Sequence, residues 1–373
     1  MNINLTLSNF LNFIRWFAAF LVLINHLRSI MFVEYSNLLN TNIYIKIFYF
    51  ITGFGHEAVI IFFILSGYLV GSEFIESKKT KEDLKKYFLK RFTRIYVVLI
   101  PALIVTFILD FLGYSYFNTT NIYNNSYQIS AINYSVIERL NIETFIYNIF
   151  MLQTSLSETF GSNGPLWSLA FEWWYYIILP ILYILLTKKS LTDKIMYISI
   201  LVIFMLILNL DIFIYFFVWL IGVMGYKYKK DITFKLIYKI NITLLMIILI
   251  SSRLNYINYL LSDLLLSINI IIIINQLYYT DMNFTFISRF NKLFSSFSYS
   301  LYLFHFPFIF LLFSFLDSIL YVRNDINQTN FIYYMLLIIT TYIFSFLMYI
   351  LFERNTKYIF NKLNFTLTKR NKS

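Results

Sequence analysis

Three histidines, a scatter of arginines and two glutamates carry most of the chemistry this sequence offers. Arg15 and His26 are separated by ten residues inside one apolar run. On a helix that puts them roughly 16 Å apart along the axis. An imidazole titrates near neutrality and suits general-base work, so His26 is a catalytic candidate, with a plain helix–helix hydrogen bond as the alternative. Arg15 either binds an anion or snorkels to lipid phosphate. His56 and Glu57 open the next apolar run, GFGHEAVIIFFILSGYLVG, where Glu57 orients an imidazole or caps the helix. Arg91 and Arg94 stand at one helical face of KRFTRIYVVLIP. They serve topology and anionic lipid, or clamp phosphates through their planar forks. Glu172 lies inside NGPLWSLAFEWWYYIILP, and a carboxylate there needs a partner, with His26 and His56 as candidates. His305, in SYSLYLFHFPF, is open between structural and functional readings.

The elements that must position these groups are membrane spans. The 373 residues are 59% hydrophobic and only 13% charged, against about 25% charged in an ordinary soluble protein. A bilayer core takes about 20 apolar residues in helix. Ten segments qualify, at 12–32, 50–72, 95–113, 166–187, 194–210, 212–227, 238–252, 257–279, 297–317 and 331–352. The first is expected to act as a signal anchor. The fifth and sixth meet so closely at Asn209–Asp211 that they form a hairpin. The spacing of Gly67 and Gly71 predicts close helix packing.

Charge fixes the expected orientation. The link after the second span holds eight Lys or Arg between Lys78 and Arg94, and the other links on that side are basic too. The positive-inside rule makes that side cytoplasmic, with both termini there. The same placement explains the net charge of +11 without invoking nucleic acid. The expected fold is an all-α integral membrane protein of about ten transmembrane helices, one domain over residues 1–373, with no appended soluble domain. There is no cysteine, and three histidines make a metal site an unlikely reading, so no metal is expected.

In their order these blocks resemble acyltransferase family 3, which includes O-acetyltransferases of bacterial surface polysaccharides. The matching pieces are Arg15-x10-His26, AVIIFFILSGYL at 58–69, Arg91-x-x-Arg94 followed by Pro101, WSLAFEWWYY at 167–176, SYSLYLFHFPF at 298–308 and FERN at 352–355. The sequence departs from the family pattern at Ile60, where many members have an acidic residue, and at Asn355, where proline is usual. Glu57 shares a helical face with Ile60 and is the expected substitute.

The resemblance implies an acyl-CoA donor, usually acetyl-CoA, used on the cytoplasmic side. The acceptor would be a hydroxyl of a glycan or lipid-linked saccharide at the outer face of a bacterial inner membrane. On that expectation Arg15, Arg91 and Arg94 hold the donor's phosphates. His26 deprotonates the acceptor or briefly carries the acyl group, and Glu172 or Glu57 fixes its tautomer. His56, Trp167, Ser168 and His305 line the acceptor side. A glycan polymerase and a transporter or flippase are the competing readings, although no inverted repeat supports the latter.

Overall fold

The computed structural model describes residues 4–370, apart from 39–40, 120, 126–128, 130, 189, 230–234, 281–284 and 321–325. Its helices are α1 (Leu5–Met31), α2 (Ile43–Ile51), α3 (Gly55–Glu76), α4 (Lys81–Phe117), α5 (Ile142–Ile149), α6 (Leu166–Thr187) and α7 (Leu191–Ile207). After these come α8 (Leu210–Lys227), α9 (Lys235–Arg253), α10 (Tyr259–Tyr278), α11 (Thr285–Ser296), α12 (Ser298–Leu320), α13 (Gln328–Leu351) and α14 (Thr356–Arg370). Among the described residues eight helical segments are long and apolar enough to cross a membrane. Each of the ten expected segments is a helix, but α7 and α9 are outside those eight. At 17 residues α7 is about 26 Å long, short for a bilayer core of roughly 30 Å. The chain is an all-α, multi-pass membrane protein.

The bundle has two chemically distinct ends. At one gather Lys90, Arg91, Arg94, Lys292, Arg354 and Lys357, around a shared cavity. The other carries the start of α3, α6, α8 and α10 and the ends of α1, α4 and α9, together with the link from 118 to 165.

Close approach of α3 and α8 sets the middle of the bundle. The Gly67 Cα lies against the Trp219 carbonyl and Gly222, and Gly222 in turn lies against the α3 backbone at Ile64 and Tyr68. Any side chain at these glycines would have to displace backbone, so they act as packing surfaces, as expected of Gly67; Gly71, one turn on, lies against Val223 of α8. The tight α7–α8 hairpin is also present, with the Asn209 side chain capping α8 at the Asp211 N–H, 2.9 Å away.

Prolines inside spans free carbonyls that lipid cannot satisfy, and side chains from neighbouring elements take them. Pro307 leaves the Leu303 carbonyl without its helical donor, and Asn163 Nδ2 donates to it at 3.0 Å. Pro180 does the same to the Tyr176 carbonyl, which accepts from Tyr87 at 3.3 Å. Asn163 also donates to Thr106 Oγ1 at 3.0 Å, while fully buried Asp110 accepts from the Ser162 N–H and hydroxyl, both at 2.7 Å. These bonds pin the segment just before α6 to α4 and α12. Nearby, burial and then the Asp110 charge hold the Tyr123 phenol well above its ordinary range, so a neutral ring wedges the same link against Gly113.

At the basic end α11 docks on the first half of α1 through polar side chains. Trp16 Nε1 donates to Asn291 Oδ1 at 2.9 Å, Asn291 Nδ2 to Asn9 Oδ1 at 2.8 Å, and Ser295 Oγ to Asn12 Oδ1 at 3.1 Å. That docking holds Lys292 over the cavity and sets the start of α12.

Candidate active site

The histidines of α1 and α12 meet. His26 Nδ1 and His305 Nε2 are 2.8 Å apart, with the two rings nearly parallel and the edge of Phe306 packed beside His26. His305 is buried, and its Nδ1 lies 3.0 Å from the Leu301 carbonyl and 2.9 Å from that of Tyr302. Carbonyl oxygens only accept, so His305 Nδ1 carries a proton. With both rings neutral, His305 Nε2 is then a bare acceptor and His26 Nδ1–H donates to it. One proton assignment survives: His26 keeps its lone pair on Nε2, the nitrogen a general base uses.

A cavity of about 740 Å³ opens at the basic end. Arg15, Lys90, Arg91, Arg94, Lys292, Arg354 and Lys357 supply its positive lining, against Glu172 and Glu353. Its arginines are positioned individually. Arg91 pairs with Glu73 and lies over the rings of Tyr87 and Tyr176. Arg94 donates to Glu353 at 2.7 Å and sits 4.7 Å above the Tyr299 ring. Glu353 is buried and spends its other oxygen on the N–H and hydroxyl of Ser300, at 3.0 and 2.7 Å, in the first turn of α12. Arg15 makes no ion pair within 4 Å among the described residues, with Glu172 and Glu353 acting on it at longer range. Its guanidinium therefore has no carboxylate to give up when an anion enters the cavity.

Ser168 and Tyr302 also line the cavity, and their hydroxyls are 2.5 Å apart. Tyr302 donates to the Pro165 carbonyl at 3.1 Å. Its backbone carbonyl is one of the two that hold His305. The cavity wall and the histidine pair therefore share a residue, and a group reaching the end of the cavity arrives one side chain from His305.

Several sequence expectations meet a different geometry. Glu172 bonds to the Tyr176 hydroxyl one turn along α6 and faces the cavity, not His26 or His56. Glu57 is buried and accepts from Ser252 of α9 at 2.8 Å, and it makes no contact with His26. The role of orienting His26 falls to His305, which the sequence reading had put on the acceptor side. His56 pairs with buried Asp263, 2.9 Å from each carboxylate oxygen, under the ring of Tyr259. Trp167 packs edge-on against Phe63 and Phe171 as a structural ring. Arg15, Arg91 and Arg94 do share the cavity, and Ser168, expected on the acceptor side, lines it with them.

Sequence reasoning missed Tyr302, Glu73, Asp263 and the role of Glu353. Glu353 was visible as a carboxylate in FERN, and Asp263 as a lone acid within an apolar run. Tyr302 is one tyrosine among 32, and nothing local marks it.

Comparison with known proteins identifies a family. The family described as "Acyltransferase domain" matches residues 8–350. The chain is also similar to an uncharacterized protein of Haemophilus influenzae, 31% identical over 157 residues, which is 40% of this chain and 57% of that protein. It thus aligns with little more than half the length of that relative. No solved structure matches. The match over nearly the whole membrane bundle places this multi-pass membrane chain in acyltransferase family 3.

Proposed function

We propose that the protein is an O-acyltransferase of a bacterial inner membrane that moves an acyl group, acetyl in the simplest case, from acyl-CoA to a hydroxyl of an envelope glycan or lipid-linked saccharide. The observation that carries this reading is the shared residue between the cationic cavity and the histidine pair, Tyr302. By the positive-inside rule the cavity end is cytoplasmic, where acyl-CoA is available, and the opposite end meets the acceptor.

The donor's phosphates bind Arg15, Arg91 and Arg94, and Lys90 and Lys292 add charge at the mouth. The acyl thioester extends along the cavity toward Ser168 and Tyr302. His26 Nε2 takes the proton of the acceptor hydroxyl as its oxygen attacks the thioester carbonyl carbon. Collapse of the tetrahedral intermediate breaks the C–S bond, the new ester leaves, and the imidazolium returns its proton to the departing thiolate. His305 holds the positive charge in place by accepting the Nδ1 proton's hydrogen bond throughout.

Proton NMR of surface glycans from wild-type, deletion and His26→Ala strains tests the reading. The expected result is loss of O-acyl signals in both mutant strains with the glycan backbone intact. Unchanged acylation with shortened or missing glycan would favour a polymerase or exporter instead.

A further inference from the structure

The end opposite the cavity holds two arginines that pair with no carboxylate among the described residues. Arg28, in the last turn of α1, and Arg253, the final residue of α9, are close enough to repel one another. Neither has a carboxylate within ion-pair distance among the described residues. Exposed Glu34 acts on Arg28 only at longer range, and Glu57 is occupied by Ser252. Arg139, at the same end, is by contrast paired with Glu158 at 3.1 Å.

The pair is built, not loose. Tyr49 serves both members: its ring lies under the Arg28 guanidinium at 5.0 Å, and its carbonyl accepts from Arg253 Nη2 at 3.3 Å. The Tyr49 hydroxyl is itself fixed on the Val33 carbonyl at 2.5 Å. Arg253 is further braced flat against Gly53, a contact only glycine permits. Arg28 Nε is buried with no hydrogen-bond partner, although Nη2 has a long contact of 3.4 Å to Ser29. A buried guanidinium nitrogen without a partner is costly, and so is holding two like charges together. Both costs vanish if an oxyanion sits between the two forks, where planar guanidiniums bind phosphate or carboxylate oxygens in pairs. The positive-inside tendency disfavours arginine at this end, so topology does not explain them.

We infer that Arg28 and Arg253 form an anion subsite for the acceptor, and that the acceptor is a saccharide bearing a phosphate or carboxylate. This rests on the acyl-transfer reading for the word acceptor, not for the binding itself. Arg28 is two residues beyond His26 on α1, about 3 Å further along the axis and on the other side of the helix. The anion is therefore held over the end of α1 while another part of the saccharide reaches the histidine pair.

The test is titration of the purified full-length protein in phosphatidylcholine nanodiscs with glucose 1-phosphate, glucuronate and glucose. At least one charged sugar is expected to bind about tenfold or more tightly than glucose, in line with a charge-assisted pair. Arg28→Gln and Arg253→Gln should each remove that preference, and Arg253→Lys should retain part of it with unchanged thermal stability. Whichever charged sugar binds identifies the group as phosphate or carboxylate. His26→Gln should bind normally, so a failed acyl-transfer reading and a failed subsite give different results. Equal affinity for glucose, no binding of either charged sugar, or Gln variants that bind like wild type would each overturn the proposal. So would loss of sugar binding in phosphatidylglycerol nanodiscs, which would assign the arginines to a lipid headgroup.

Discussion

Replacing His305 by phenylalanine isolates the part of the histidine pair that is orientation rather than proton transfer. The ring volume is kept roughly constant inside a buried site, while the Nε2 acceptor for His26 is removed. His26 Nδ1–H then loses its partner, a penalty of about 1–3 kcal/mol for a buried donor. The tautomer is also no longer dictated, because nothing else holds the proton on Nδ1. At about 1.4 kcal/mol per tenfold, kcat should fall roughly 10- to 100-fold. His26→Ala removes the base itself and should cost more, about 100- to 10,000-fold. The double variant should be no slower than His26→Ala alone, since an orienting group has nothing left to orient. His305→Gln should recover part of the rate, because its amide oxygen can accept the same hydrogen bond. The assay is direct: the chain contains no cysteine, so thiol released from the donor can be read with a thiol reagent without background from the protein. A His305→Phe enzyme at wild-type rate, or effects that multiply in the double variant, would refute the orientation argument.

Arg91→Gln combined with Arg94→Gln should raise the donor KM by roughly 10- to 100-fold, as expected for two lost charge-assisted contacts, with a smaller change in kcat; initial rates across donor concentrations check this. Glu353→Gln should raise the donor KM less, because the amide oxygen still accepts from Arg94 while its NH2 replaces the acceptor of the Ser300 N–H, whereas Glu353→Leu loses both acceptors and should raise KM and lower thermal stability further. Gly67→Leu should cost about 1–3 kcal/mol or prevent accumulation in the membrane, because the new side chain meets the Trp219 backbone; a melting curve in detergent measures it. Asn163→Leu should destabilise by about 1–3 kcal/mol through the Leu303 carbonyl that Pro307 leaves open, and pairing it with Pro307→Ala should restore much of the loss.

The bundle was legible because bilayer physics writes it in the composition. Apolar run length gives the helices, the basic links give the end that collects cations, and the glycines at 67 and 71 give a packing seam. Arg15, Arg91 and Arg94 were readable as one group, since all three sit near the same end of their spans. Pairing was not readable. Which carboxylate meets which cation depends on helix rotation, and a shift of one residue turns a side chain by 100°. Glu172 therefore looked like a partner for His26 but faces the cavity, and Glu57 looked like another but bonds to Ser252 of α9. The His26–His305 contact spans 279 positions, and no local pattern encodes it.

The arrangement of carboxylates around the cavity also bears on how the donor is admitted. Arg91 and Arg94 are already neutralised, by Glu73 and by a Glu353 whose second oxygen is committed to α12. Glu353 cannot swing away with Arg94 without opening the first turn of that helix, so it stays as a fixed counter-charge. Arg15 has no such anchor, and Lys292 is held on α11 at the mouth. A phosphate entering the cavity would thus meet Arg94 as a charge locked in place. The locked pair then works as a ruler. On the proposed donor site it would fix the phosphate at a set depth between α4 and α12, the helix that carries His305, so the distance from phosphate to histidine would be set by one continuous element. A donor whose arm is shorter or longer than that distance would bind through its phosphates and still fail to place its carbonyl at His26.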